Sequence, residues 1–157
     1  NTNSFNFAGK TNEEKSISDI TSYAFELCYE LEKIVLPDSV RIIRDGVFCS
    51  CSNLQEINIP DGVEQIDDYT FWCCEKLTKI KLPDSITKIG ERAFYNCESL
   101  TEIDIPDNVT EIGKYAFCGC KNLKRINIPD SVEKIGKNAF KACDSLPPDM
   151  IPKGFRK

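Results

Sequence analysis

Along most of this chain apolar positions recur every 23 residues. That spacing is far longer than the 3.6-residue period of a continuous helix or the two-residue period of a long strand. Within one period the pattern changes character. In the unit Leu100–Asn122, Leu100-x-x-Ile103-x-Ile105 carries the two-residue spacing of a strand, with Ile103 and Ile105 on one side. Pro106 brings no backbone N–H for a continuing ladder, and Pro106-Asp107-Asn108 is turn chemistry. Val109 and Ile112 then return to the apolar side, and Gly113 permits a tight corner. Ala116, Phe117 and Cys120 lie at offsets of one and four, which predicts a short helical turn before Leu123 opens the next strand.

The other units agree column by column. Phenylalanine stands at Phe25, Phe48, Phe71, Phe94, Phe117 and Phe140, and cysteine at Cys28, Cys51, Cys74, Cys97, Cys120 and Cys143. No insertion breaks the spacing from Pro37 to Pro152. One such unit cannot enclose a core, whereas stacked units can, so the period predicts a solenoid whose matching residues form ladders about 4.8 Å apart. The organisation that follows is a single domain over residues 1–157. Residues 1–16, polar apart from Phe5 and Phe7, are expected to cap the first coil; 17–30 form a partial repeat, 31–145 five full repeats, and 146–157 a partial repeat with a C-terminal cap. A cut from a longer array is the alternative for that last segment. Blunted ends favour a monomer.

Composition narrows the possible partners. A formal net charge of −5 opposes nucleic acid and anionic membrane surfaces. No apolar run is long enough to insert in a membrane. The chain begins at Asn1, so the lack of a leader does not place it in the cytosol. Of nine cysteines, six recur at one position of each unit, as a packing leucine would. Core packing of free thiols explains that column better than zinc, because the chain has no histidine. Cys49, Cys73 and Cys118 lie outside it, and a Cys49–Cys73 bridge remains open.

The pattern L-x-x-I-x-I-P-D-x-V-x-x-I-G-x-x-A-F-x-x-C, matched from Ile17 to Leu146, resembles the BspA-like class of leucine-rich repeat proteins. The resemblance implies an α/β leucine-rich-repeat solenoid, mostly β, with a parallel concave sheet, short convex strands and helical turns. It also implies a secreted or cell-surface protein, of the kind made by anaerobic bacteria and parasitic protists, some implicated in attachment to host proteins or other microbes. It implies no enzyme activity and no particular ligand.

In this fold class outward strand residues are the usual contact surface. Two columns qualify here: Lys33, Glu56, Lys79, Glu102, Arg125, and Val35, Asn58, Lys81, Asp104, Asn127. The first alternates in sign, so it reads either as a self-neutralising salt ladder or as a contact surface. Aromatics gather elsewhere: Trp72 and Tyr95 beside the phenylalanines, Tyr69 and Tyr115 on the preceding turn. They cover the turns or form a lateral patch. The stacked aspartates Asp38, Asp61, Asp84, Asp107 and Asp130 are expected to cap turn N–H groups, with bound calcium as the alternative. Without histidine there is no Ser-His or Cys-His pair, and the Ile-Gly corners are not a phosphate loop. The expected function is therefore non-enzymatic, without cofactor or metal: recognition of a protein or glycan partner, or a structural spacer within a longer surface protein.

Overall fold

The computed structural model describes residues 4–6, as backbone, and residues 17–155. Its strands, in chain order, are β1 (Ser4–Asn6), β2 (Asp19–Ile20), β3 (Lys33–Val35), β4 (Ile42–Ile43), β5 (Glu56–Ile57), β6 (Gln65–Ile66), β7 (Lys88–Ile89), β8 (Glu102–Asp104), β9 (Glu111–Ile112), β10 (Arg125–Asn127) and β11 (Lys134–Ile135). Every pairing among them is parallel. Between repeats the register is the sequence period itself: Ile34 faces Ile57, Ile89 faces Ile112, Ile103 faces Ile126. The chain is a parallel β-solenoid.

Each coil has three sides. The first carries β1-β3-β5 and, separately, β8-β10, to which Lys79 is joined by a single bridge with Glu102. The second carries β2-β4 and β6-β7-β9-β11. The turn between these two sides is closed by the main chain, from Val40 N–H to Pro37 C=O and from Val109 N–H to Pro106 C=O, each at 3.0 Å. Serine hydroxyls tie it to the preceding coil, Ser85 donating to Val63 C=O at 2.6 Å and Ser131 to Val109 C=O at 2.8 Å. These bonds, and not the exposed aspartates Asp38, Asp61, Asp84, Asp107 and Asp130, hold the turn.

The third side corrects the sequence reading. The predicted helical turn at Ala116–Cys120 and its counterparts is not helical: the described residues contain no α-helix, only two short 3-10 turns at Pro148–Met150 and Lys153–Phe155. Alternate N–H groups there serve two different purposes. Trp72 and Cys74 donate within their own coil, to Tyr69 and Phe71 C=O at 3.0 and 3.2 Å. Tyr69, Phe71 and Cys73 donate to the next coil, to Glu91, Ala93 and Tyr95 C=O at 2.9, 2.8 and 2.7 Å. The physical reason is spacing. Strand pairing sets coils about 4.8 Å apart, whereas stacked helices need about 8–10 Å. A third hydrogen-bonded ladder of turns meets the tighter spacing. It requires left-handed backbone at two positions per coil: the Tyr23, Gly46, Tyr69, Arg92, Tyr115, Asn138 column and the Leu27, Ser50, Cys73, Asn96, Gly119, Ala142 column.

Inside, the columns form continuous ladders. Phe71 and Phe94 are fully buried with ring centroids 5.3 Å apart, and all neighbouring phenylalanine pairs lie at 5.2–5.6 Å. The cysteine column has a specific task. The Cys97 thiol donates to Phe71 C=O at 3.2 Å, and Cys51, Cys74, Cys120 and Cys143 repeat that contact at 3.0–3.2 Å. All nine cysteines are free thiols, Cys49 and Cys73 included. Gly113 does not have left-handed backbone; it is small because its coil lies directly against the main chain of Gly90. Of the predicted N-terminal cap, Ser4–Asn6 runs alongside β3, in the place of a preceding coil's strand. Residues 1–3 and 7–16 of that cap, and Arg156 and Lys157 of the C-terminal one, lie outside the described residues.

Candidate binding face

The two outward columns of the first side lie where their strand positions put them, on one face. Their charges pair across coils and along the diagonal. Lys33 bonds Glu56; Lys79 reaches Glu102 at 3.0 Å; Arg125 reaches Glu102 at 3.5 Å and Asp104 at 2.9 Å. The hydrogen bond from Lys79 holds the Glu102 carboxyl below the usual carboxylate range, and the hydrogen bonds that Arg125 donates to Asp104 raise its guanidinium. Such exposed pairs are screened by water and salt and contribute little to stability.

The alternation fails at one step. Glu56 and Lys79 belong to neighbouring coils, but the ladder between β5 and Lys79 is interrupted and they form no ion pair among the described residues. Beside that gap the apolar floor is slightly uncovered. Ile57, Ile59, Ile80 and Leu82 are 9%, 7%, 7% and 5% exposed, against 1% for Ile103 and Ile105. Two open grooves, of about 450 and 370 Å³, meet at Lys79, Ile80 and Lys81. Lys81 is exposed and makes no ion pair among the described residues. Asn58 has a different use: Leu36 N–H donates to its Oδ1 at 2.7 Å and its Nδ2 donates to Leu36 C=O at 2.9 Å. Its carboxamide thereby stands in for a strand partner. Val35 is half-buried at the end of β3, while Asn127 is exposed at the end of β10.

The aromatic residues assemble on the third side. Trp72 and Tyr95 stack at 6.2 Å between centroids and 16° between planes. The Arg92 guanidinium sits between Tyr69 and Tyr115, 5.6 and 5.0 Å from their centroids, and donates to Tyr69 Oη at 2.9 Å. Glu91 pairs with Arg92, and Lys114 lies 5.5 Å from the Tyr115 ring. Sequence reasoning found the four aromatic rings and missed Arg92, which shares the Tyr69–Tyr115 column and could have been read from it.

No cluster of three or more histidine, cysteine, aspartate or glutamate side chains capable of holding a metal occurs among the described residues. None of their helices is long and apolar enough to cross a membrane.

A repeating parallel coil with ladders of phenylalanine, cysteine and isoleucine defines a solenoid scaffold. The chain belongs to the BspA-type leucine-rich repeat family, whose model matches residues 18–147 in six copies; the match indicates no enzyme family. It is similar to a leucine-rich repeat protein from Bacteroides ovatus at 31% identity and TM-score 0.75, over 91% of this chain and 44% of that one. It also resembles the T. pallidum leucine-rich repeat protein TpLRR, at 30% identity and TM-score 0.72, over 85% and 73%. The pneumococcal vaccine antigen PcpA matches at 29% identity and TM-score 0.62, over 73% and 29%. The chain thus spans less than half of two of these proteins. No curated protein matches.

Proposed function

We propose that this domain is a non-enzymatic recognition module, secreted or held at a cell surface, whose first-side strand face engages a protein or glycan partner. The observation that carries this reading is the interruption beside β5. At the middle of the face two grooves meet over a slightly uncovered apolar floor of Ile57, Ile80 and Leu82, rimmed by Lys79 and by Lys81, which has no ion pair among the described residues. An apolar floor with a few charged groups at its rim is the composition of a contact site. A location outside the cell is supported by the family and by the similarity to a vaccine antigen.

A surface-display screen against matrix proteins and glycans tests the reading. A bound partner should lose at least tenfold in affinity with Lys81→Glu, because the reversed charge sits unpaired at the groove rim. Exposed Lys76→Glu, outside both strand-face columns, should leave affinity unchanged. Equal losses at both positions would reject the groove as the contact. The second reading, a structural spacer, is favoured by the short share of the Bacteroides protein and of PcpA that this chain spans. A spacer binds nothing in the screen while the longer protein still adheres.

A further inference from the structure

Charges on the third side are arranged unlike those elsewhere on the molecule. On the first two sides, opposite charges of adjacent coils pair: Lys79 with Glu102, Arg125 with Glu102, Lys134 with Glu111. Lys121 likewise pairs with Glu98 of the preceding coil; along one stripe of the third side, by contrast, charges are sorted by sign along the solenoid axis. One column reads Asp45, Asp68, Glu91, Lys114, Lys137. Glu26 and Asp67 add to the acidic end, Lys141 to the basic end. Within the chain only Glu91 forms an ion pair, with Arg92; the remaining seven have none among the described residues. Asp45 and Asp68 cap the main-chain N–H of the next coil, at 3.2 and 2.7 Å. Burial and the like charges of Asp45 and Asp68 push the Asp67 carboxyl up, although Arg44 and Lys88 approach it from the second side. Arg44 is already committed to Asp19 at 2.6 Å.

Between the two ends lies the aromatic cluster. The column Gly46, Tyr69, Arg92, Tyr115, Asn138 is nearly symmetric about Arg92, with a tyrosine one coil away on each side. Tyr, Trp and Arg are the residues that dominate the centres of protein interfaces, and charged residues suit the rim.

We infer that the third side is a self-complementary interface through which two copies of this chain pair antiparallel about a two-fold axis at the Glu91–Arg92 coil. Such an axis carries the Asp45 coil of one copy onto the Lys137 coil of the other, and the Asp68 coil onto the Lys114 coil. Each opposition occurs twice, as a two-fold interface demands. Tyr69 of each copy meets the neighbourhood of Tyr115 of the other. The two Glu91 carboxylates approach the axis, and each is neutralised by its own Arg92. A stable pair covers about 800 Å² per partner, about a tenth of the 8740 Å² surface. The first-side grooves stay open, so the pairing is independent of the function proposed above.

Sedimentation equilibrium of the whole chain at a series of protein and salt concentrations tests this. The native chain should be a dimer that weakens as salt rises. Lys114→Glu/Lys137→Glu/Lys141→Glu should raise the dimer dissociation constant on the order of a hundredfold, because like charges then face each other. Glu26→Lys/Asp45→Lys should do the same, and an equimolar mixture of the two variants should restore a heterodimer. Far-UV circular dichroism checks folding. If the loss of the Asp45 cap unfolds the second variant, Glu26→Gln/Asp45→Asn retains an acceptor and should still weaken the dimer. A native chain that stays monomeric at every concentration overturns the inference. So does a dimer indifferent to the lysine reversals, which would be joined through another surface.

Discussion

Gly113 and Ala142 show what a single position must satisfy in so tight a coil. A Cβ added at Gly113 would fall 2.4 Å from the Gly90 carbonyl carbon and 2.6 Å from Glu91 N, main-chain atoms that cannot move independently. Gly113→Ala should therefore force two coils apart and lower stability by roughly 3 kcal/mol or more. Urea unfolding should show a free-energy loss of that size; a loss under a third as large would mean that the coils can separate. Ala142 has the opposite problem, with a left-handed φ of 56° and an exposed side chain that gains little from packing. Much of this was unreadable residue by residue. Glycine occupies only two of the twelve left-handed positions, at Gly46 and Gly119, while Tyr69, Arg92 and Cys73 adopt the same backbone without any signature in their type. The ladder bonds of neighbouring coils hold them there, at roughly 1–2 kcal/mol of intrinsic strain per residue.

At the scale of elements, the ladder is the unit of stability. Phe94 lies between Phe71 and Phe117 at 5.3 and 5.2 Å, fully buried, whereas Phe140 stacks, among the described residues, on Phe117 alone and is half-buried. Phe94→Ala should lower unfolding free energy by about 3–5 kcal/mol and Phe140→Ala by clearly less, as read from denaturant unfolding. Equal losses would mean that the coils fold without regard to position in the stack. The strands were legible because Ile103 and Ile105 alternate with Glu102 and Asp104. The helical turn was misread because Ala116, Phe117 and Cys120 face inward at helix-like offsets in either conformation. Only the distance to the next coil distinguishes a helix from a row of turns. The interruption between β5 and Lys79 was likewise invisible, since Lys79-Ile80-Lys81 repeats the alternation of its neighbours.

Across the whole molecule the thiol column links stability to pH. Burial pushes the Cys51 and Cys143 thiols up to about 12, and those of Cys74, Cys97 and Cys120 well above their ordinary 9.0. These groups are neutral in the fold and ionise near 9.0 once unfolded. The unfolded state therefore loses protons first as pH rises. The stability they provide is complete below pH 9.0 and is lost progressively above it, by about 1.4 kcal/mol per pH unit for a fully buried thiol such as Cys97. Urea unfolding between neutral and strongly alkaline pH should show this decline. Cys97→Ala should be less stable at neutral pH and flatter in its alkaline slope; an unchanged slope would mean that the thiol is not held neutral. On the acid side, Glu102 and Glu111 are held below the usual carboxylate range by hydrogen bonds from Lys79 and Lys134. Their contribution is present above that range and disappears as pH falls through their folded values. Both carboxylates face solvent, so the effect is small and salt-sensitive.

The 23-residue recurrence of Phe, Cys, Pro and Ile determined by itself that coils stack in register, which side chains lie inside and which columns share a face. It could do so because each coil's only interior is supplied by its neighbours, so identical positions must meet. The tertiary structure alone decided how the third side closes, where the first-side ladder parts and which charges find partners. Those outcomes depend on the spacing between coils and on side chains 21–25 residues apart, which the repeat brings together without stating how they will bond.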